Sequence, residues 1–288
     1  MHETIHTVVF KLGEGGGNPC PVTLNADDLT PEEMQKMTAG FGEESAFLLQ
    51  PSGPGFDIRP RYFVPLHEME MCVHATIGSA TVLVEKNIFQ KSPIIFETMF
   101  GPVEVTWERK DGRINVGVTQ FPPRFKEKNP APEETAAALR ISTADLKAFP
   151  IVSAATSRFK LMVPLVSKDV LYHLEPDFEQ LWNLCDHYDT TGFYPFAIEE
   201  EKDGPVIYAR QFPKRAGYPE DPATGVAASA LSAYLVQYHV MPVREGWNCF
   251  TIRQGEAMGR PSVIGADCLV EEGKIIKTRV CGNAEIVG

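Results

Sequence analysis

No stretch of this chain is apolar for the roughly 20 residues that a membrane-crossing helix needs, so no helical span is expected. The first residues, Met1, His2, Glu3 and Thr4, lack the basic and apolar regions of a secretory signal, and no such leader is expected. The six cysteines (Cys20, Cys72, Cys185, Cys249, Cys268 and Cys281) include no C-x-x-C pair. In a chain this long they read as reduced thiols of a cytoplasmic protein, not as a disulfide framework. Blocks of like charge are missing too. The net charge of −11 is spread over interspersed acidic and basic residues, so neither nucleic acid nor an anionic membrane is an expected partner. An anionic small molecule stays open, because a cleft can be locally positive on an acidic protein.

What the chain does have is a globular composition, 43% hydrophobic and 23% charged, in 288 residues, enough to bury a sizeable core. Gly and Pro occur 23 times each, which predicts many turns and numerous strands. Strands are expected at 5–12, 20–24, 45–50 and 58–64, and three more around an Asp111-Gly112 turn within 93–121. Thr30 caps a helix with Pro31 at its first position and Glu33 three residues on. Residues 75–86 and 223–238 read as helices of small and apolar residues without a polar face, which must be buried. Helices are also expected near 133–140 and 176–186. The remaining strands are placed at 159–165, 169–171, 193–199, 205–211, 248–254, 261–270, 274–281 and 284–287.

The two small-residue helices begin at related points. His74-Ala75-Thr76 superimposes on Pro222-Ala223-Thr224, about half a chain away, and internal duplication is the natural reading. A first half is assigned to 1–121, with the terminal strand 280–288 as a candidate to complete it. The Pro-rich, charged segment 122–135 is assigned as a linker, and 136–279 as the second half. A helix start exposes unpaired N–H groups and partial positive charge. Two such starts facing each other would cradle a carboxylate; the plainer alternative is that Gly and Ala only allow close packing.

Three side chains near these points could carry chemistry. Glu44, between a helix end and a strand, suits a general base if partly buried, although a solvated glutamate is the simpler reading in isolation. Asp221 precedes the second helix and could be merely its N-cap. His74 stands at the matching boundary of the first helix, where it could merely close a turn. The run from His67 to His74 holds two His, two Glu and a Cys. Read as a strand it aligns Glu68, Glu70, Cys72 and His74, but no well-specified zinc spacing occurs and no metal is expected. Gly13 to Gly17 lacks both a P-loop Gly-Lys-Ser/Thr and the last Gly of a dinucleotide fingerprint, and it meets Pro19 instead of a helix.

Six stretches in order resemble the phenazine-biosynthesis (PhzF-like) family, which is related in fold to diaminopimelate epimerase and proline racemase. They are Gly17-Asn18-Pro19, Glu44-Ser45-Ala46-Phe47, Arg61 to Pro65, Cys72 to Thr76, Asp221 to Gly225, and Gly259 to Ser262. The resemblance implies an α+β fold of two pseudo-symmetric halves, each a curved, mostly antiparallel sheet or barrel around a central buried helix. It implies a homodimer, no cofactor, no metal, and a small carboxylate substrate. The family's characterised reaction isomerises trans-2,3-dihydro-3-hydroxyanthranilate. By that resemblance Glu44 is the acid/base, His74 and Asp221 orient substrate and share in proton handling, and the helix starts bind substrate. Val73, Ala75 and Thr76 belong to one start, and Thr224, Gly225 and Val226 to the other. Val73 replaces the family's Gly and Val226 a Ser of its phenazine enzymes, which reshapes the pocket. Cys72 is near one helix start and Pro222 near the other, so a two-thiol racemase is disfavoured. A non-catalytic binding protein on the same fold is the rival from another class.

Overall fold

Two helices built almost wholly of small and apolar residues organise the architecture. The computed structural model describes residues 2–202 and 204–287. Met1 and Gly288, at the outer bounds of the predicted halves, and Asp203 lie outside the described residues. The chain opens with β1 (Glu3–Val9) and β2 (Asn18–Leu24), an antiparallel pair. Helix α1 (Pro31–Phe41) starts as its sequence predicts: Glu33 N donates to Thr30 Oγ1 at 3.2 Å, and Thr30 N donates to the Glu33 carboxylate at 2.8 Å. Gly42 stops it at φ 70°, a left-handed conformation that glycine adopts without strain. Strands β3 (Ser45–Leu49), β4 (Arg59–Val64) and β5 (His67–Met69) lead into α2 (Val73–Glu85). Then β6 (Ile94–Thr98), β7 (Gly101–Lys110) and β8 (Arg113–Thr119) form the antiparallel run expected around Asp111-Gly112.

Residues 122–135, expected as a linker, contain β9 (Arg124–Phe125), which pairs with β10 (Val152–Ala155), and enter α3 (Pro132–Leu139). After β11 (Lys160–Pro164) the chain turns into α4 (Lys168–Tyr172), where a strand was expected at 169–171. Ser167 Oγ accepts from Val170 N and Leu171 is buried, so a capped turn with one packed face overrides the strand preference of Val and Tyr. Next come α5 (Phe178–His187), β12 (Gly192–Glu201), β13 (Gly204–Ala209), β14 (Phe212–Pro213) and α6 (Gly225–Gln237). The chain closes with β15 (Gly246–Gln254), β16 (Ser262–Glu271) and β17 (Lys274–Val287), the last a single strand where two were expected.

Strand β17 ties the molecule together. Its first part pairs with β16, Arg279–Asn283 pair with β8, and its end pairs with His6–Val9 of β1. Parallel pairings at β2–β3, β11–β12 and β13–β15 make the sheet mixed, and the fold is a sheet-dominated α+β one. Helix α2 packs among β1, β2, β3, β8 and β17, and α6 lies against β10, β11, β16 and β17. Every residue from Val73 to Val84 is buried, which explains the missing polar face. A Cβ on Gly78 would come within 2.8 Å of Thr7 Oγ1, so glycine lets helix and strand approach.

Candidate active site

The starts of α2 and α6 touch. A Cβ on Gly225 would lie 2.6 Å from Val73 Cγ1 and 2.7 Å from Val73 Cβ. Val73 thus fills the space that Gly225 leaves. Substituting Gly225→Ala should cost about 1–3 kcal/mol by overpacking, and adding Val73→Ala should recover most of that in urea unfolding. Neither start is closed by a side chain: the N-caps Cys72 and Thr224 make no capping bond, and neither first turn holds an acidic residue. The first amides bonded within the helices are Thr76 N and Ala228 N, to Cys72 O and Thr224 O at 3.0 Å each. Those ahead of them have no partner within their helix and carry its partial positive charge into one cleft.

Glu44 faces this junction, carried two residues past the Gly42 stop and immediately before β3. Its Oε1 accepts from Tyr218 O–H, and its Oε2 accepts from Cys72 S–H at 3.2 Å. His74 Nδ1 is 3.4 Å from Glu44 Oε2 and 3.1 Å from Cys72 Sγ. Burial lowers the pKa of His74; the Glu44 charge and the Pro19 carbonyl oppose this without reversing it, so the ring is neutral near pH 7. Its Nε2 is buried without a well-formed hydrogen bond among the described residues. Burial and the charge of Glu44 push the Cys72 thiol well above its ordinary range.

The strand alignment of Glu68, Glu70, Cys72 and His74 is not what forms. Strand β5 ends at Met69, His74 sits in the first turn of α2, and Glu68 is tied to Arg61 at 2.7 and 2.5 Å. The donor atoms of Glu44, Cys72 and His74 do gather within 4.8 Å of one another. They are joined to one another by hydrogen bonds.

Asp221 is 6% exposed. It does not cap α6 as a simple N-cap would, because Thr224 occupies that position. Its Oδ1 accepts from Asn18 Nδ2 at 2.8 Å and its Oδ2 from the Thr224 hydroxyl. Gln254 holds the same corner, donating to Asp221 O at 2.7 Å and accepting from Thr224 N at 3.2 Å. Burial, then the charge of Glu44, pushes Asp221 up to about 7. Lys160, also buried in the cleft wall, is brought down to about 7 by burial and by Arg158. On passing upward through about pH 7, Asp221 therefore becomes anionic while Lys160 becomes neutral. Both changes make the cleft more negative. An anionic ligand should bind best below neutrality, with calorimetric affinity falling by more than tenfold between about pH 6 and 8.

The cleft has a cavity volume of about 60 Å³ and opens to solvent at its mouth. Of the predicted residues, Glu44, Val73, His74, Asp221, Thr224, Gly225 and Val226 line it. Ala75 and Thr76 do not. Ala75 is wholly buried, and the Thr76 hydroxyl is spent on Cys72 O at 2.8 Å and Tyr62 Oη at 2.6 Å. Sequence reasoning missed Tyr218, Lys160 and Gln211, and it left Asn18 as part of a motif without a role. A local pattern offers no cue to Tyr218, which reaches Glu44 across 174 positions of sequence.

The family described as phenazine biosynthesis-like protein (PhzC-PhzF) matches residues 9–288. An uncharacterized isomerase of Clostridium acetobutylicum is 32% identical, over 94% of this chain and 91% of that protein. The trans-2,3-dihydro-3-hydroxyanthranilate isomerase of Pseudomonas aeruginosa is 31% identical, over 98% and 96%. The crystal structure of a PhzF-family phenazine biosynthesis protein from Bacillus anthracis superimposes with a TM-score of 0.88, at 27% identity, covering 100% of this chain and 97% of that one.

Proposed function

We propose, from the premise that this chain belongs to the phenazine biosynthesis-like (PhzC-PhzF) family and is an isomerase, that it moves a proton within a small carboxylated metabolite by way of Glu44. The observation that carries this reading is the pair of carboxyl groups in one cleft with opposed tasks. Glu44 is an acceptor ringed by Tyr218 O–H and Cys72 S–H, while Asp221 is pushed up to about 7 by burial and by the charge of Glu44. A carboxyl group that keeps its proton up to about pH 7, beside an acceptor carboxylate, suits an acid working with a base.

In this mechanism Glu44 removes a proton from a carbon activated by a neighbouring carboxyl or extended π system. The negative charge that develops is held by N–H groups at the starts of α2 and α6, which are already oriented and need no rearrangement. Glu44 then returns the proton to a second carbon on the same face. Neutral His74 orients the substrate, and Asp221, still protonated below about pH 7, shares in proton handling. No step calls on a cofactor or a metal. Val226 offers no hydroxyl where the phenazine enzymes have a Ser, which favours a native substrate other than the aminated, hydroxylated ring. The reading also takes 1–121 with 280–288, and 136–279, as pseudo-symmetric halves joined by 122–135. It takes the protein as a cytoplasmic homodimer.

The test is incubation in D2O with trans-2,3-dihydro-3-hydroxyanthranilate and a panel of small carboxylic acids, followed by NMR. Deuterium should enter at a carbon conjugated to a carboxyl group in at least one compound. Binding of panel members without exchange in any of them would make this a binding protein on an isomerase fold.

A further inference from the structure

Two polar groups of the cleft have no part in the chemistry above. Gln211 is 1% exposed and lines the cleft, yet neither its amide nitrogen nor its amide oxygen has a hydrogen-bond partner among the described residues. Folded proteins rarely leave a buried amide uncompensated, because it gives up its bonds to water and receives nothing in return. Its position is built, not accidental. The backbone of Gln211 bridges to that of Asp221, and a Cβ at Gly192 would lie 2.7 Å from Gln211 Nε2, so glycine makes the room that the amide fills. Lys160 lines the same cleft at 6% exposure and, among the described residues, gives one hydrogen bond, to Thr191 O at 3.0 Å. An ammonium group has three donors, so two remain.

We propose that Lys160 and Gln211 form a second recognition point in the cleft, for a second carboxylate of the substrate, which makes the substrate a small dicarboxylate. The inference deepens the isomerase reading and rests on it for the first carboxylate, held at the helix starts. The donor set matches the ligand. One carboxylate oxygen takes a Lys160 N–H and the other takes Gln211 Nε2–H, leaving Gln211 Oε1 to accept from a donor beside that carboxylate or from water entering with it. Arg158, on the same wall, adds positive potential. Burial has already brought Lys160 down to about 7, and an anion beside it would restore the ammonium form.

The experiment is calorimetric titration with malonate, succinate, glutarate and adipate, each against the monocarboxylate of equal carbon number. It is run on the wild type and on Lys160→Met, Gln211→Leu and Glu44→Gln. At least one dicarboxylate should bind the wild type roughly tenfold or more tightly than its monocarboxylate. Lys160→Met and Gln211→Leu should each erase that preference; Gln211→Leu should leave monocarboxylate affinity unchanged, whereas Lys160→Met, which removes a charge from the cleft, should weaken each dicarboxylate more than its monocarboxylate partner. Each removes a buried polar group, and either suffices if the other misfolds. Equal affinities throughout the series, no dicarboxylate binding at all, or a preference that survives both substitutions would overturn the proposal. Glu44→Gln separates this inference from the isomerase reading. A preference kept there, with no proton exchange in the wild type, leaves the subsite standing and removes the isomerase; exchange without preference does the reverse.

Discussion

Glu44→Gln protein should fold like its parent, bind the same ligands, and turn over about 10²- to 10⁴-fold more slowly, the range expected when a positioned general base is removed. The substitution keeps the shape of the side chain and leaves an oxygen to accept from Tyr218 O–H. It removes the lone pair that takes the proton and the negative charge that acts on the neighbours. That second loss gives an independent readout. The charge of Glu44 is the second cause, after burial, of the raised pKa of Asp221. Without it Asp221 should ionise at a lower pH, visible in an NMR titration of its carboxyl carbon. The proton-shift reading predicts both effects. A fully active Glu44→Gln enzyme would remove Glu44 from the chemistry even if Asp221 shifted as expected.

The second large effect is on stability. The segment between β14 and α6 brings Tyr218 and Asp221 to the cleft, and it is pinned by the pair formed by Arg210 and Glu220. Arg210 Nε and Nη2 donate to the Glu220 carboxylate at 2.9 and 2.7 Å, and Nη1 donates to Leu174 O at 3.0 Å and Leu171 O at 3.1 Å. Both side chains are about nine-tenths buried. Arg210→Met leaves a buried carboxylate without its counter-charge and Leu174 O without its Arg210 donor, and should cost about 3–5 kcal/mol in urea unfolding. Turnover should fall as well, because Glu220 adjoins Asp221 and lies two residues from Tyr218. Arg210→Met with Glu220→Met should recover much of the stability, since a buried ion pair can be exchanged for apolar packing. Recovery of stability without recovery of turnover would show that the pair positions the segment for chemistry. A loss below about 1 kcal/mol for the single substitution would mean that solvent reaches Glu220 once Arg210 is gone.

The α+β class was legible in the sequence, and so was a residue set that gathers in one cleft. The capping box at Thr30, the turn at Asp111-Gly112 and the two helices without a polar face were read from spacing within a few residues. Glu44, His74 and Asp221 each stand at an element boundary where a solvated glutamate, a closed turn and an N-cap are good local readings, and the family resemblance is what singles them out. The same local reasoning failed where two preferences competed. Val170 and Tyr172 favour a strand, yet the Ser167 cap and buried Leu171 decide for α4. His74 was aligned on a strand face with Glu68 and Glu70, whereas α2 starts one residue before it. That one displacement takes it from a mixed row of metal-ligating types into contact with Glu44 and Cys72.

Sequence by itself determined where a capped helix starts and stops, at Thr30 and Gly42, and which helices must be buried, because caps, glycine stops and the absence of a polar face act over one or two turns. Tertiary structure alone decided what each chemical group experiences. The Tyr218 hydroxyl on Glu44, the grip of Asn18 on Asp221, and the contact of Val73 with Gly225 join residues more than a hundred positions apart. The protonation of Asp221 and Lys160 depends on the same closure. Each is shifted first by loss of water, and Asp221 then by the charge of Glu44 from the other end of the chain; neither that desolvation nor that approach is written in a local pattern.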